Sequence, residues 1–285
     1  MSRILLRSSK ILRDVSRAWL RLIALGLLPF LLNACTVSAE KIEAEQAEKA
    51  AAKNNYPAAV LHYKNLMDRY VKTPLAIKGA KEAARITHYQ LNQPKESVPF
   101  YRHVVLYAPT TEERVEAEKR LADIYFAQIL DYTQAVVEYN RLLELPHTRA
   151  EEDTYRLAVA RSYYYLANFY QAKVEVETLL KKSSDKDLLF DAFLLKANIF
   201  LTSKNLDEAV ATLKQLIDKY PERSKAESIG LILAVTYEEQ KNFAKAIETL
   251  QSIKDTYPRK AFIENRIRNL RERQSFLPGA KGFKK

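Results

Sequence analysis

One thiol stands in a chain of 285 residues, Cys35, directly after an apolar run from Leu22 to Ala34. A thiolate can act as nucleophile, metal ligand or half of a disulfide, but a solitary cysteine supplies neither a bridge nor a thiolate cluster. The four histidines, His62, His88, His103 and His147, show no paired spacing and no HExxH pattern, so they are expected as surface or packing residues. Carboxylates are abundant, but they alternate with Lys and Arg on helical faces, which is the pattern of a solvated surface. Five glycines, none at a phosphate-loop spacing, exclude the usual nucleotide motifs. No catalytic residue, metal or cofactor is therefore assigned, and the chain is not read as an enzyme.

Seventeen tyrosines are the other chemically notable group, concentrated around Tyr89, Tyr101, Tyr125, Tyr155, Tyr163, Tyr164, Tyr165 and Tyr170. What positions them is a repeat. A small residue, a bulky one four later and another seven later recur as Ala59/Tyr63/Leu66, Ser97/Tyr101/Val104, Ala135/Tyr139/Leu142, Ala172/Val176/Leu179, Ala209/Leu213/Leu216 and Ala246/Leu250/Ile253, in steps of 38, 38, 37, 37 and 37. These spacings put all three residues on one helical face. A second small residue precedes each marker by 12 or 13: Ala47, Ala84, Ala122, Ala160, Ala197 and Ala234. Two such lengths, separated by turn signals such as Asn54-Asn55, Asn168-Phe169 and Lys241-Asn242, predict two helices per repeat, A and B. Prolines at 109, 146, 221 and 258 punctuate the way into the next repeat. A fixed period of this size predicts a stacked array.

The pattern resembles the tetratricopeptide repeat family, with a small residue in mid helix A, Ala early in helix B and Pro at the end, as in Ala234, Ala246 and Pro258. The family's usual period is shorter, and the extra turn is expected to lengthen helix A. The resemblance implies an all-α fold: a right-handed solenoid of six hairpins over residues 41–258. It also implies a concave groove lined by helix A that takes a protein or peptide. The residues expected there are Arg85, Tyr89, Lys119, Arg161, Tyr164, Tyr165 and Asn198, with Glu238 and Glu239 at the last repeat.

Residues 1–34 read as a signal segment: six basic residues against Asp14, then an apolar stretch too short to span a bilayer. It ends in Leu32-Asn33-Ala34-Cys35, which resembles the lipobox of bacterial lipoproteins. That implies acylation at Cys35, a linker over 35–40, attachment to the membrane through N-terminal acyl chains, and, with Thr36 following, the periplasmic side of the outer membrane. Repeat length, Tyr-Pro endings and this signal together resemble tetratricopeptide lipoproteins of the outer membrane, of the BamD barrel-assembly and CpoB envelope type. The partner expected is a protein or peptide of the cell envelope.

The net charge of +11 is unevenly placed. Residues 259–285 hold nine basic side chains against two acidic ones, and the array is close to neutral. Arg266, Arg268, Arg271 and Arg273 fall in an expected capping helix over 259–275, with Phe262, Ile263, Ile267 and Leu270 as its apolar side. Lys281, Lys284 and Lys285 follow on a tail, 276–285, expected to be disordered. The alternative reading of the function is a module that binds peptidoglycan or anionic lipid through this basic segment. Nucleic acid is not expected, because the array lacks a basic stripe.

Overall fold

The computed structural model describes residues 39–275. The signal segment 1–34, Cys35 and the tail 276–285 with Lys281, Lys284 and Lys285 lie outside the described residues. The chain divides into two units, the first ending at Ile124 and the second beginning at Tyr125.

Unit 1 consists of α1 (39–52), α2 (Tyr56–Arg69), α3 (Pro74–Arg85), a π-helical turn π1 (Ile86–Gln90), α4 (Pro94–Tyr107) and α5 (Thr111–Asp123). A second π-helical turn, π2 (Ile124–Ile129), begins at its last residue. Unit 2 continues with α6 (Tyr132–Glu144), α7 (Arg149–Tyr165), α8 (Phe169–Lys182), α9 (Lys186–Thr202) and α10 (Leu206–Lys219). It ends with α11 (Pro221–Ala226), α12 (Ile229–Glu239), α13 (Phe243–Ile253) and α14 (Lys260–Ser275). Within each unit, helices adjacent in sequence pack side by side as hairpins. The described residues contain no strand, and no helix among them is long and apolar enough to cross a membrane. The first helix starts at 39, inside the stretch expected as linker; Glu40 is buried there and accepts a hydrogen bond from the hydroxyl of Thr73.

All twelve small residues of the repeat are fully buried, from Ala47 and Ala59 through Ala234 and Ala246. A methyl group at a helix crossing lets backbones approach, and the bulky residues one and two turns on fill the space beside it. Leu66, Val176, Leu213, Leu216 and Leu250 are fully buried in that role. Unit 2 holds two apolar clusters that follow neighbouring helices: Leu157, Val176, Leu179, Leu195 and Ile199 across α7–α9, and Phe190, Leu216, Ile229, Leu250 and Ile263 across α9–α14. Burial between successive elements is how a stacked array is stabilised. On α14 the buried residues are Ile263, Ile267 and Leu270. Phe262, expected with them, stays at the surface against Tyr257 and beneath Arg259.

The turn between helix A and helix B is built the same way each time. Asn54, Asn92, Leu130, Ala167, Lys204 and Lys241 all adopt left-handed backbone, with φ between 51° and 62°, at the same point of each repeat. At three of the six turns the next residue caps helix B with its side chain: Asp131, Asn168 and Asn242 accept from the amides of Gln134, Gln171 and Lys245, whereas Asn55, Gln93 and Asn205 do not. Asn168 N–H also donates back to Tyr163 C=O at 2.9 Å, and Asn242 N–H to Tyr237 C=O at 2.8 Å, which satisfies carbonyls at the end of helix A. A left-handed non-glycine costs about 1 kcal/mol; the returning backbone bonds, which Asn55 and Asn205 also make, and the caps where they occur offset it.

The two π-helical turns explain why one gap in the repeat varies. Ala84 to Ser97 and Ala122 to Ala135 span 13 residues, and these are the two hairpins whose helix A ends in a π turn; the 12-residue hairpins of α7 and α9 have none. One inserted residue is taken up as a wider turn, which keeps the register of both flanking helices. Helix A is also the longer partner: α7 and α9 have 17 residues, α8 and α10 have 14. The last helix A departs from this, breaking into α11 and α12 at Ser228, whose φ is 58°.

Candidate functional site

Helix-A residues come together in two cavities, one in each unit. In unit 1, Lys81, Arg85 and Tyr89 on α3 and π1 face Glu112, Glu113, Glu116 and Arg120 on α5, with Tyr101, Val104 and Ala117 behind them, around about 420 Å³. The Lys81 ammonium bonds the Glu113 carboxylate, whose pKa is held below the usual range chiefly by that bond. Arg85 donates from Nη2 to Glu82 at 2.9 Å on its own helix, and Arg120 pairs with Glu116 at 3.0 Å. Burial pushes the Tyr101 phenol up to about 12, and Tyr89 is hydrogen-bonded to it. The Tyr89 ring stacks on His88 at 4.2 Å and remains 53% exposed. The π turn delivers both rings.

In unit 2, Arg161, Tyr164 and Tyr165 on α7, Asp191, Leu194, Leu195 and Asn198 on α9, and Arg223 and Glu227 at α11 enclose about 380 Å³. Asp191 is shared: Arg161 Nη2 donates to Oδ2 at 2.8 Å and Arg223 Nη2 to Oδ1 at 2.6 Å. Arg223 also reaches Glu227 at 2.7 Å and Asp187 at 3.2 Å. The Tyr164 hydroxyl lies 3.1 Å from Thr202 Oγ1. Tyr165 stacks on Tyr132 at 4.6 Å, with Phe126 at 6.2 Å, and is 55% exposed. The Asn198 amide makes no hydrogen bond among the described residues and faces the cavity.

Of the residues expected in the groove, Arg161, Tyr164, Tyr165 and Asn198 share the second cavity and Arg85 and Tyr89 the first. Lys119 is half-buried, is engaged with neighbours, and is not a wall of the cavity in unit 1. The face of α5 turned toward α3 runs instead through Glu112, Glu113, Glu116 and Arg120, at helical spacing.

Glu238 and Glu239 are used for packing between neighbours. Glu238 accepts from Arg266 Nε at 2.7 Å and lies 3.5 Å from Arg273 Nη1; Glu239 takes Lys204 Nζ at 2.7 Å. Two of the four arginines expected to face an anionic surface thus hold the capping helix to α12, and Arg273 lies over the Phe243 ring at 4.8 Å. Arg268 and Arg271 are exposed.

Pattern reading of single repeats did not find Asp191, Arg223 or Glu113. Their signal is opposite charge about one repeat apart on helix A: Lys81–Glu113, Arg161–Asp191, Asp191–Arg223 and Glu238–Arg266 lie 32, 30, 32 and 28 residues apart. The histidines serve packing. His62 donates from Nδ1 to Glu43 at 2.9 Å, and His103 is buried against Tyr107. Burial works to raise the Glu43 carboxyl, but the bonds from Asn65 and His62 outweigh it and hold it below the usual range. Among the described residues, no group of three or more His, Cys, Asp or Glu is placed to hold a metal ion.

A family model described as tetratricopeptide repeat matches residues 191–223 and 230–259, and the interval between them contains the break at Ser228. No curated protein matches the chain. Among solved structures it is similar to a tetratricopeptide repeat protein from Parabacteroides merdae ATCC 43184, with 17% identity over 84% of this chain and 89% of that one and a TM-score of 0.48. It is also similar to YrrB, described as a TPR protein with an unusual peptide-binding site, with 13% identity over 72% and 97% and a TM-score of 0.49. It is similar as well to PilW, described as a widely conserved type IV pilus biogenesis factor, with 12% identity over 79% of this chain and 98% of that one and a TM-score of 0.46. Residues 191–223 and 230–259 thus match the tetratricopeptide repeat, and the same buried small residues and left-handed turns recur through the other hairpins.

Proposed function

We propose that this protein is a non-enzymatic scaffold that holds a segment of another protein against its helix-A faces, and that it works as a lipoprotein on the periplasmic side of the outer membrane. The observation that carries the first part is the cavity of unit 2. Arg161 meets one carboxylate, Asp191, and keeps further N–H donors to offer, while Arg223 is held by Asp191, Glu227 and Asp187. Asn198 presents both a donor and an acceptor, which suits the backbone of an extended peptide. Tyr165 supplies a large exposed ring with a polar tip. The partner segment is therefore extended, with an acidic side chain for Arg161 and an apolar one for the tyrosines.

The anchoring part rests on the lipobox-like Leu32-Asn33-Ala34-Cys35 and the basic and apolar stretches before it. Several acyl chains make a lasting anchor, and confinement to a surface raises the effective concentration of partners there. The reading as a peptidoglycan- or anionic-lipid-binding module is weaker, because Arg266 and Arg273 are committed to Glu238.

Asn198→Ala combined with Tyr165→Ala removes two groove groups that hold no ion pair. Pull-down of envelope partners should drop while the melting curve stays in place; capture at the wild-type level would move the binding site elsewhere. Radiolabelled palmitate should enter the wild type and not Cys35→Ala; labelling that persists in the variant would remove the anchor.

A further inference from the structure

A third cavity lies apart from the helix-A faces. It occupies about 440 Å³ between α10 and α13, over α11 and α12, a size usual for small-ligand sites. Its walls include Ile217, Pro221, Leu233, Tyr237, Ile253 and Tyr257. The cavity coincides with the broken helix: α11 stops at Ala226, Ser228 turns left-handed and caps nothing with its side chain, and α12 restarts at Ile229. The corresponding helices α7 and α9 run unbroken. At Gly230 a Cβ would come within 2.7 Å of Ile253 Cγ2, so the Ile253 side chain packs directly on the α12 backbone on this side of the cavity.

The lining also carries charge. Lys214, Lys225 and Lys245 border the cavity, and none forms an ion pair among the described residues; Lys245 Nζ sits 5.7 Å over the Tyr237 ring. Asp218 and Glu248 lie one helical turn from Lys214 and Lys245, and Lys225 has no such acid in the lining. An apolar interior bordered by three lysines and two acids suits a molecule with a hydrocarbon body and one negative head.

We propose that this cavity binds a single fatty acid, its chain against Ile217, Leu233 and Ile253 and its carboxylate among Lys214, Lys225 and Lys245. The site is distinct from the peptide groove and does not depend on it.

The purified chain, titrated with a dansyl-tagged fatty acid, should show saturable fluorescence enhancement at one site per chain, displaced by laurate. Lauryl alcohol, with the same chain and no charge, should compete about tenfold less well. Ser252→Trp, which fills the cavity from α13, should abolish the signal without moving the melting temperature; Thr249→Phe serves if that variant does not fold. Lys214→Glu with Lys225→Glu should weaken binding about tenfold. An absence of saturable binding, wild-type binding in the filled variant, binding unchanged by the lysine substitutions, or alcohol competing as well as laurate would each overturn the assignment.

Discussion

The two helix-A cavities use the same repeat differently. In unit 1 an inserted residue at π1 places the exposed Tyr89 beside a row of acids, and the charges are answered pair by pair: Lys81 by Glu113, Arg85 by Glu82, Arg120 by Glu116. At the cavity of unit 2 α7 and α9 run as unbroken α-helices, and one carboxylate, Asp191, is divided between two arginines from neighbouring repeats. Arg161, whose only acid is shared, keeps donors for a ligand, whereas Arg223 is also answered by Glu227 and Asp187 and is closer to neutral toward an arriving carboxylate. On the proposed function, Arg161 would be the contact for an acidic segment in unit 2, while the cavity in unit 1 would offer mainly aromatic contact.

The largest test of this contrast is Ala197→Arg. Ala197 is fully buried where α9 meets its neighbours, and a buried charge without a partner costs about 3–5 kcal/mol. Hydrogen exchange should accelerate across α9 and α10 and leave α2 to α4 protected; uniform acceleration would show that the units do not open separately. Deleting Gln90 comes next. It shortens the 13-residue gap to the length found in the other hairpins and should let helix A finish without a π turn, changing stability by about 1 kcal/mol or less. Tyr89 would leave its cavity, so any ligand contact made by unit 1 should be lost while capture by unit 2 persists.

Acid should act on unit 1 first. Burial holds His103 below the ordinary histidine pKa, against smaller opposing effects from the Val71 backbone and Asp68. Above roughly pH 6.5 the residue is neutral in both states and its contribution is full. As the pH falls from there toward the lower folded value, the unfolded chain takes the proton first and unit 1 loses stability. His147 in unit 2 is exposed. Amides of α2 and α4 should exchange faster near pH 5.5 than near pH 7.5 after correction for intrinsic rates, and His103→Gln should remove that difference. The smallest effect is at the turns. Lys241→Gly, which relieves a left-handed lysine that holds no ion pair among the described residues, should stabilise unit 2 by about 0.5 kcal/mol in thermal melts.

The hairpins were readable because their signal is periodic and local. Small residues at a fixed spacing mark helix crossings, and all twelve are buried. The 12-or-13 variation was visible as a number, but its meaning as a π turn depends on both flanking helices keeping register, which no single repeat displays. The break at Ser228 has no Pro or Gly at its centre; Gly230 follows it by two residues, and its role appears only against Ile253 of the next helix. Arg161, Tyr164, Tyr165 and Asn198 were legible as neighbours because each is counted from an alanine of its own helix. Asp191 and Arg223 were not, because they belong to the site through side chains that cross from one repeat to the next. The same crossing turned Arg266 and Arg273 from surface charges into the bonds that hold α14 to Glu238.

The most direct test of the scaffold is a photo-crosslinking amino acid placed at Tyr165 and, separately, at Lys181, an exposed helix-B residue of the same unit. In intact cells, illumination should join a defined protein to the chain from position 165 and nothing specific from position 181. Equal products from both positions, or none from 165 while 181 reacts, would contradict binding at the helix-A face.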